Sequence, residues 1–329
     1  MYIGVLKIVY KILIAITFFI ILILGIIVSQ KPVNLKSNFD PNIIGSDINE
    51  YLIKSEQKFS DIKEGIAKHI IWANKNNTKT PLSIVYIHGF TASSEEVRPL
   101  PDLIAKNIKA NLFYTRLSGH GRTSDAMENC SIENWMNDLH EAIEIGSRIG
   151  KKVIIMSSST GGTISVVSAL NTELSNKILG YIFISPNFGI NNKFASLISW
   201  PFSNYWLKII LGKTMKHNPR NKLNKKYWTM SYPTNALIPM AKLVKEVNNN
   251  NYSNVKKPAL FYFSEEDKVV DPNKTKDFIK KWGGKTTTKI VKLSNNDDKL
   301  SHVLAGYIIS PNQTEHARKT MLNWIRNLK

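Results

Sequence analysis

The stretch "KKVIIMSSSTGGT", residues 151–163, runs an apolar segment straight into three serines, two threonines and two glycines. A serine becomes a nucleophile in such a place when a tight strand-to-helix turn lifts its hydroxyl out of the backbone path. That turn demands small residues two positions before and two positions after the serine. Ser157 fails the test with Ile155 at minus two, and Ser158 fails with Met156 before it and Thr160 after. Ser159 passes, flanked by Ser157 and Gly161, and Gly162 lets the next helix pack close to the sheet. "SSSTG" departs from the G-x-S-x-G pattern only in having Ser157 for the first glycine, a small-for-small exchange. A serine-rich helix cap is the bland reading of the same residues.

Such a nucleophile needs a base, an acid behind the base, and amide donors for the oxyanion. "VKLSNNDDKLSHVLAG" (291–306) sets His302 in a loop past the last apolar run, and "PALFYFSEEDKVVDP" (258–272) sets Asp267 in the turn after an aromatic run. Only His302 and His316 follow Asp267, and His316 falls inside the helical pattern of the C-terminus. Glu265, Glu266 and Asp271 compete with Asp267; the D-x-V-V-x-P context places Asp267 deepest in its loop and leaves the other three to solvent. In "SIVYIHGFTASSEE" (83–96) the Phe90 amide lies just past a strand end and, with the Thr160 amide, makes a two-donor oxyanion hole. His88 reads as a structural residue of the His-Gly turn. The order Ser159, Asp267, His302 is the one this kind of sheet imposes on its triad.

These residues need a scaffold that brings strand ends together. Short apolar runs at Ile66–Ala73, Leu82–His88, Asn111–Arg116, Lys152–Met156, Ile178–Ser185, Ala259–Ser264 and Thr288–Leu293 read as strands. Helical patterns cover Asp47–Lys63, Glu95–Ile108, Ile132–Ile149, Thr160–Leu170, Asn273–Trp282 and Asn312–Asn327. Several strands are apolar throughout, as in a parallel sheet covered on both faces. The alternation predicts an α/β fold with a mostly parallel, doubly wound sheet. More than seventy residues separate the fifth and sixth of these strands, too many for one crossover, and predict an inserted cap with helical pieces at Tyr205–Leu211 and Asn235–Val247. The expected division is an anchor over 1–30, a linker and lead-in helix over 31–64, a core over 65–186 and 258–329, and a cap over 187–257. The single cysteine, Cys130, excludes an intramolecular disulfide, and no Cys/His cluster has zinc-like spacing. No metal or cofactor is expected.

The chain resembles the α/β-hydrolases, in the group of monoacylglycerol lipases, carboxylesterases and serine aminopeptidases. The resemblance runs from Leu82 to the C-terminus outside the cap. It rests on the motifs above, on "RLSGHGRTSDAM" (116–127) as the Gly-His-Gly turn, and on "SIENWMNDLHEAI" (131–143) with Trp135 and Asp138. "SHVLAG" is similar to the group's catalytic-histidine segment. The resemblance implies an α/β-hydrolase fold, Ser159 as nucleophile, Asp267 and His302 as its partners, and Phe90 and Thr160 as the oxyanion amides. It implies a serine hydrolase of acyl esters working through an acyl-enzyme; a capped, aromatic-rich site beside a membrane predicts that the ester is hydrophobic. The same machinery cleaves peptides, so a membrane-tethered serine peptidase is the alternative, and a non-catalytic binding module is a third reading.

Two features bear on partners. Ile12–Val28 carries no charge, the apolar character reaches back to Val5 past Lys7, Tyr10 and Lys11, and bulky residues in "IIVSQKP" offer no small-residue cleavage site. This predicts an uncleaved signal-anchor helix in the inner or plasma membrane. Lys7 and Lys11 favour a cytoplasmic N-terminus, with the catalytic body outside; Lys31 and Lys36 weaken the bias. The net charge is +19, and residues 191–257 hold eleven Lys and one Arg against one acid, Glu246, together with nine Trp, Tyr and Phe. A basic, aromatic cap suits an anionic lipid surface. Nucleic acid is a reading of charge alone with no binding motif, and is not expected. A lysine- and asparagine-rich composition throughout is the bland alternative.

Overall fold

A computed structural model of the chain describes residues 2–28, 33–75 and 77–328. Among the described residues the strands are β1 (His69–Ile71), β2 (Thr80–Ile87), β3 (Asn111–Tyr114), β4 (Gly150–Ser158), β5 (Ile178–Ile184), β6 (Thr214–Lys216), β7 (Ser231–Pro233), β8 (Ala259–Phe263) and β9 (Thr286–Ile290). Seven form one sheet in the order β1-β3-β2-β4-β5-β8-β9. All its pairings are parallel except that of β1 with β3. Strands β6 and β7 pair separately as a small antiparallel hairpin.

The helices are α1 (Tyr2–Val28), α2 (Ile48–Glu56), α3 (Leu100–Ile108), α4 (Ile132–Ile149), α5 (Thr160–Ser165), α6 (Thr172–Lys177), α7 (Ser203–Leu211), α8 (Lys222–Tyr227), α9 (Leu237–Asn249), α10 (Pro272–Lys281) and α11 (Thr314–Arg326). The all-apolar strands are buried on both faces, because successive side chains point to opposite sides. Val85, Ile155, Phe183 and Phe261 join one core with Trp135 and Leu139 of α4 and Phe278 of α10. Ile84, Ile154, Ile182 and Leu260 join the other with Leu100 and Ile104 of α3 and Met321 of α11. This double cover holds the strand ends rigidly in register, and the residues that follow them inherit that rigidity.

All seven expected sheet strands form, with shifted ends. The helix expected over Glu95–Ile108 begins at Leu100, and Ser94–Glu96 is a separate 3-10 turn. Pro99 explains the break, since proline disfavours helical geometry in the residue before it and supplies no N–H. The pattern over Asp47–Lys63 is helical only to Glu56. The helix expected over Thr160–Leu170 is regular to Ser165 and tightens into a 3-10 turn beyond it. Helix α6, capped by the Asn171 side chain on the Leu174 N–H, was not among the expected elements: its six residues are too few for a periodicity. Between β5 and β8 lie α7, the β6–β7 hairpin, α8 and α9. The expected linker begins in residues 29–32, Lys31 among them, which lie outside the described residues.

Candidate active site

The chain turns directly from β4 into α5, with Ser159 as the one residue between them. Ser159 sits there at φ 50°, ψ −119°, a left-handed conformation that side chains other than glycine adopt only under constraint. Its N–H donates to Ile184 O at 3.0 Å, which pins the turn to the end of β5. Small neighbours are obligatory. A Cβ on Gly161 would lie 2.2 Å from Ile87 O, and Ser157 is fully buried with its Oγ 2.9 Å from Ser165 Oγ. The serine at minus two therefore fills its space and has a hydrogen-bond partner.

The structure brings Ser159, His302 and Asp267 together from three strand ends. His302 Nε2 lies 3.0 Å from Ser159 Oγ, and its Nδ1 lies 2.8 Å from Asp267 Oδ2. Asp267 is nearly inaccessible, and its other oxygen accepts the Val269 and Val270 N–H groups at 2.8 and 3.0 Å. The competing acids do other things: Glu265 pairs with Lys276, Glu266 with Lys292, and Asp271 caps α10. Burial alone would push the His302 imidazole down; the facing Asp267 carboxylate, aided by Glu96 and Asp298, outweighs it and holds the ring above its ordinary pKa. Nδ1–H facing a carboxylate leaves Nε2 free to take a proton from the serine. His316 is exposed on α11 and does not line the cavity over Ser159.

Phe90 and Thr160 both line the cavity beside Ser159, and among the described residues neither backbone N–H has an acceptor. Phe90 is held by its ring, edge-on to His120 at 5.6 Å and to Tyr232 at 5.3 Å. His88 is buried; its Nε2 accepts the Leu117 N–H at 3.1 Å and its Nδ1 faces Gly89 O at 2.9 Å, and burial lowers its pKa to about 3. The ring thus ties the Leu117 backbone to the loop after β2. Trp135 and Asp138 grip Ser118, just before the Gly-His-Gly turn, through Trp135 Nε1 to Ser118 O and the Asp138 carboxylate on the Ser118 N–H and hydroxyl.

Residue-by-residue reasoning missed two acids. Glu96 is buried; its Oε2 accepts the Gly89 N–H at 2.8 Å and the Tyr86 hydroxyl at 2.9 Å, so it ties down the loop that carries Phe90. Its burial raises its pKa against those two donors. In the sequence it reads as an ordinary acid in a helical first turn. Asp298 organises the His302 loop, and nothing local distinguishes it from Asp297 beside it. A cavity of about 510 Å³ opens over Ser159, and its lining includes apolar Ile190, Leu237, Met240 and Val270 as well as polar His217, Asn218, Arg220 and Asn224.

Comparison with known proteins places this architecture. The family model described as serine aminopeptidase, S33 (Hydrolase_4) matches residues 78–293, well over half of the chain. The chain belongs to this family. It is similar to a thermostable monoacylglycerol lipase of Bacillus sp. (strain H-257), 27% identical over 219 residues that span 66% of this chain and 82% of the lipase. Solved structures share the α/β-hydrolase fold. Metagenome-derived lipolytic enzymes of the LipS and LipT study align at a TM-score of 0.63 and 18% identity, covering 80% of this chain and 99% of theirs. A soluble variant of monoglyceride lipase from Saccharomyces cerevisiae aligns at 0.59 and 15%, covering 80% and 92%.

Proposed function

We propose that Ser159, His302 and Asp267 are the catalytic triad of this carboxylic ester hydrolase, and that its substrate is a lipid-like ester with a hydrophobic acyl chain. The unbroken relay from Asp267 through His302 to Ser159, beside two amides without acceptors, carries the reading. Ser159 Oγ bonds to the acyl carbon while its proton passes to His302 Nε2; the carbonyl oxygen becomes an oxyanion facing the Phe90 and Thr160 amides. The ester C–O bond then breaks, and the alcohol leaves with the proton from His302. Water gives its proton to the same nitrogen, attacks the acyl carbon, and releases the acid and the free serine.

The apolar lining residues of the cavity suit an acyl chain, its polar ones suit an alcohol head group, and residues 187–257 serve as the cap that supplies most of both. Helix α1 acts as the membrane anchor. Its span Gly4–Ile27, 24 residues with mean hydropathy 2.7 and no burial, is long and apolar enough to cross a bilayer, properties that an N-terminal signal sequence shares. Lys7 and Lys11 orient the body to the extracytoplasmic side of the inner or plasma membrane. The cap exposes Trp200, Phe202, Tyr205, Ile209 and Ile210, and Lys193, Lys208 and Lys213 lie in the same stretch of sequence, a combination that suits contact with anionic headgroups.

The family description also supports a serine peptidase, so substrates decide. A fluorophosphonate probe and a series of p-nitrophenyl esters should label and turn over with wild type, with preference for acyl chains longer than acetyl. Ser159→Ala should do neither while keeping its fold. Faster cleavage of aminopeptidase substrates than of any ester would transfer the reading to the peptidase.

A further inference from the structure

The His302 loop is wrapped around one carboxylate. Asp298 is fully buried at its side chain. Its Oδ1 accepts the Leu300 N–H at 2.8 Å, and its Oδ2 accepts the His302 N–H at 3.1 Å and the Val303 N–H at 2.8 Å. Its own N–H donates to Ser310 Oγ at 3.0 Å, and its carbonyl accepts the Ser301 N–H at 2.8 Å, where Ser301 takes φ 53°. The backbone that carries the imidazole is thus folded by this side chain.

A buried carboxylate is costly unless a cation faces it. The cation here is Arg220, whose guanidinium pairs with Asp298 Oδ1. Arg220 belongs to the segment between β5 and β8, not to the sheet, and it lines the cavity over Ser159. The chain around it is fastened to the core on both sides of the cavity. Asn221 Nδ2 donates to Ile308 O at 2.8 Å, just beyond the His302 loop, and the Thr229 N–H donates to Thr91 O at 2.8 Å, in the loop that carries Phe90. Trp228 packs with Ala92, Ile308 and Ile309. Residues 220–229 therefore brace the oxyanion loop and the histidine loop at once, whereas α7 is the part that turns its apolar side chains outward.

We propose that Arg220 is a positioning residue: its pairing with Asp298 holds the His302 loop in reach of Ser159, so the geometry of the base depends on the seating of the 220–229 brace. The proposal rests on the reading of His302 as the base. The cavity-lining position offers a competing role, direct contact with substrate, and a split of kinetic constants separates the two.

The test uses the full-length protein in detergent micelles, a p-nitrophenyl ester and a fluorophosphonate, with rates normalised to the folded fraction from circular dichroism. Arg220→Met should lower kcat and the labelling rate on the order of ten- to a hundredfold, as small misplacements of a reacting group do. KM should move by less than about threefold, the pattern of a lost transition-state interaction. Arg220→Lys should recover most of the rate, and Arg220→Met combined with Asp298→Asn should be no slower than Arg220→Met alone. Should Arg220→Met fail to fold, Asp298→Asn replaces it in the comparison and is expected to lower kcat in the same way. An unchanged kcat, a rise in KM alone, or a loss that vanishes on normalisation would overturn the proposal. Ser159→Ala and His302→Ala, assayed alongside, test the triad itself: activity surviving in either removes the premise, and its loss in both leaves the Arg220 result to be judged alone.

Discussion

His302 is poised by two opposed influences, burial, which disfavours its charged form, and the Asp267 carboxylate 2.8 Å away, which prevails. In the proposed role of base, His302 must be neutral to accept the serine proton, and its raised pKa predicts that activity falls on acidification from a higher pH than an ordinary imidazole near 6.5 would give. Asp267→Asn removes the favourable partner and leaves burial in charge. The acid limb of kcat/KM should then move to lower pH, and kcat should fall by about 10⁴ as the ring loses its orientation and tautomer. A pH–rate profile of both proteins checks this; a limb that stays in place would detach Asp267 from His302. That Ser159, Asp267 and His302 would meet was legible in the sequence, because each sits in a short local pattern just after an apolar run. Glu96 was not, because an acid in a first turn has an ordinary explanation. The Arg220–Asp298 pair was not, because its members are 78 positions apart and nothing in either neighbourhood points to the other.

At the scale of elements, the site depends on how closely α5 approaches β2. Gly161 has no room for a side chain: the added Cβ would meet the Ile87 and His88 carbonyl oxygens at 2.2 and 2.6 Å, and backbone cannot swing aside. Gly161→Ala should therefore destabilise the protein by about 1–3 kcal/mol, the usual cost of overpacking, and lower ester turnover at least about tenfold as the elbow is displaced. Thermal melts and kcat read the two effects, and a variant with native stability and rate would show that the turn is looser than its geometry. Ser157 behaves differently, since it already occupies its pocket and bonds Ser165. The strands and most helices were readable because double-sided burial writes itself as continuous apolar runs. Element ends were less so: Pro99 broke a helix whose hydrophobic pattern continued through it, and β1 is a three-residue edge strand whose flanking residues share its composition.

The molecule as a whole is a charged hydrolase body behind an apolar helix. On α7, Ile209, 84% accessible, and Tyr205, 69%, are not among the residues that line the cavity, so on the proposed membrane contact they should act on lipid binding and not on chemistry. Ile209→Glu in protein lacking residues 1–33 should weaken sedimentation with anionic phosphatidylglycerol vesicles while p-nitrophenyl acetate hydrolysis stays unchanged. Equal sedimentation of both forms would remove the cap from the membrane account. The inserted segment was visible as an excess of chain between two strands, yet its partition into an outward α7 and an inward brace at 220–229 depends on long-range contacts that no local pattern encodes.

The most direct measurement is peptide mapping by mass spectrometry after treating the full-length protein with a fluorophosphonate. The account predicts one covalent adduct, on Ser159, absent from Ser159→Ala and suppressed by prior incubation with a long-chain monoacylglycerol. An adduct on another residue, or equal labelling of the alanine variant, would contradict it.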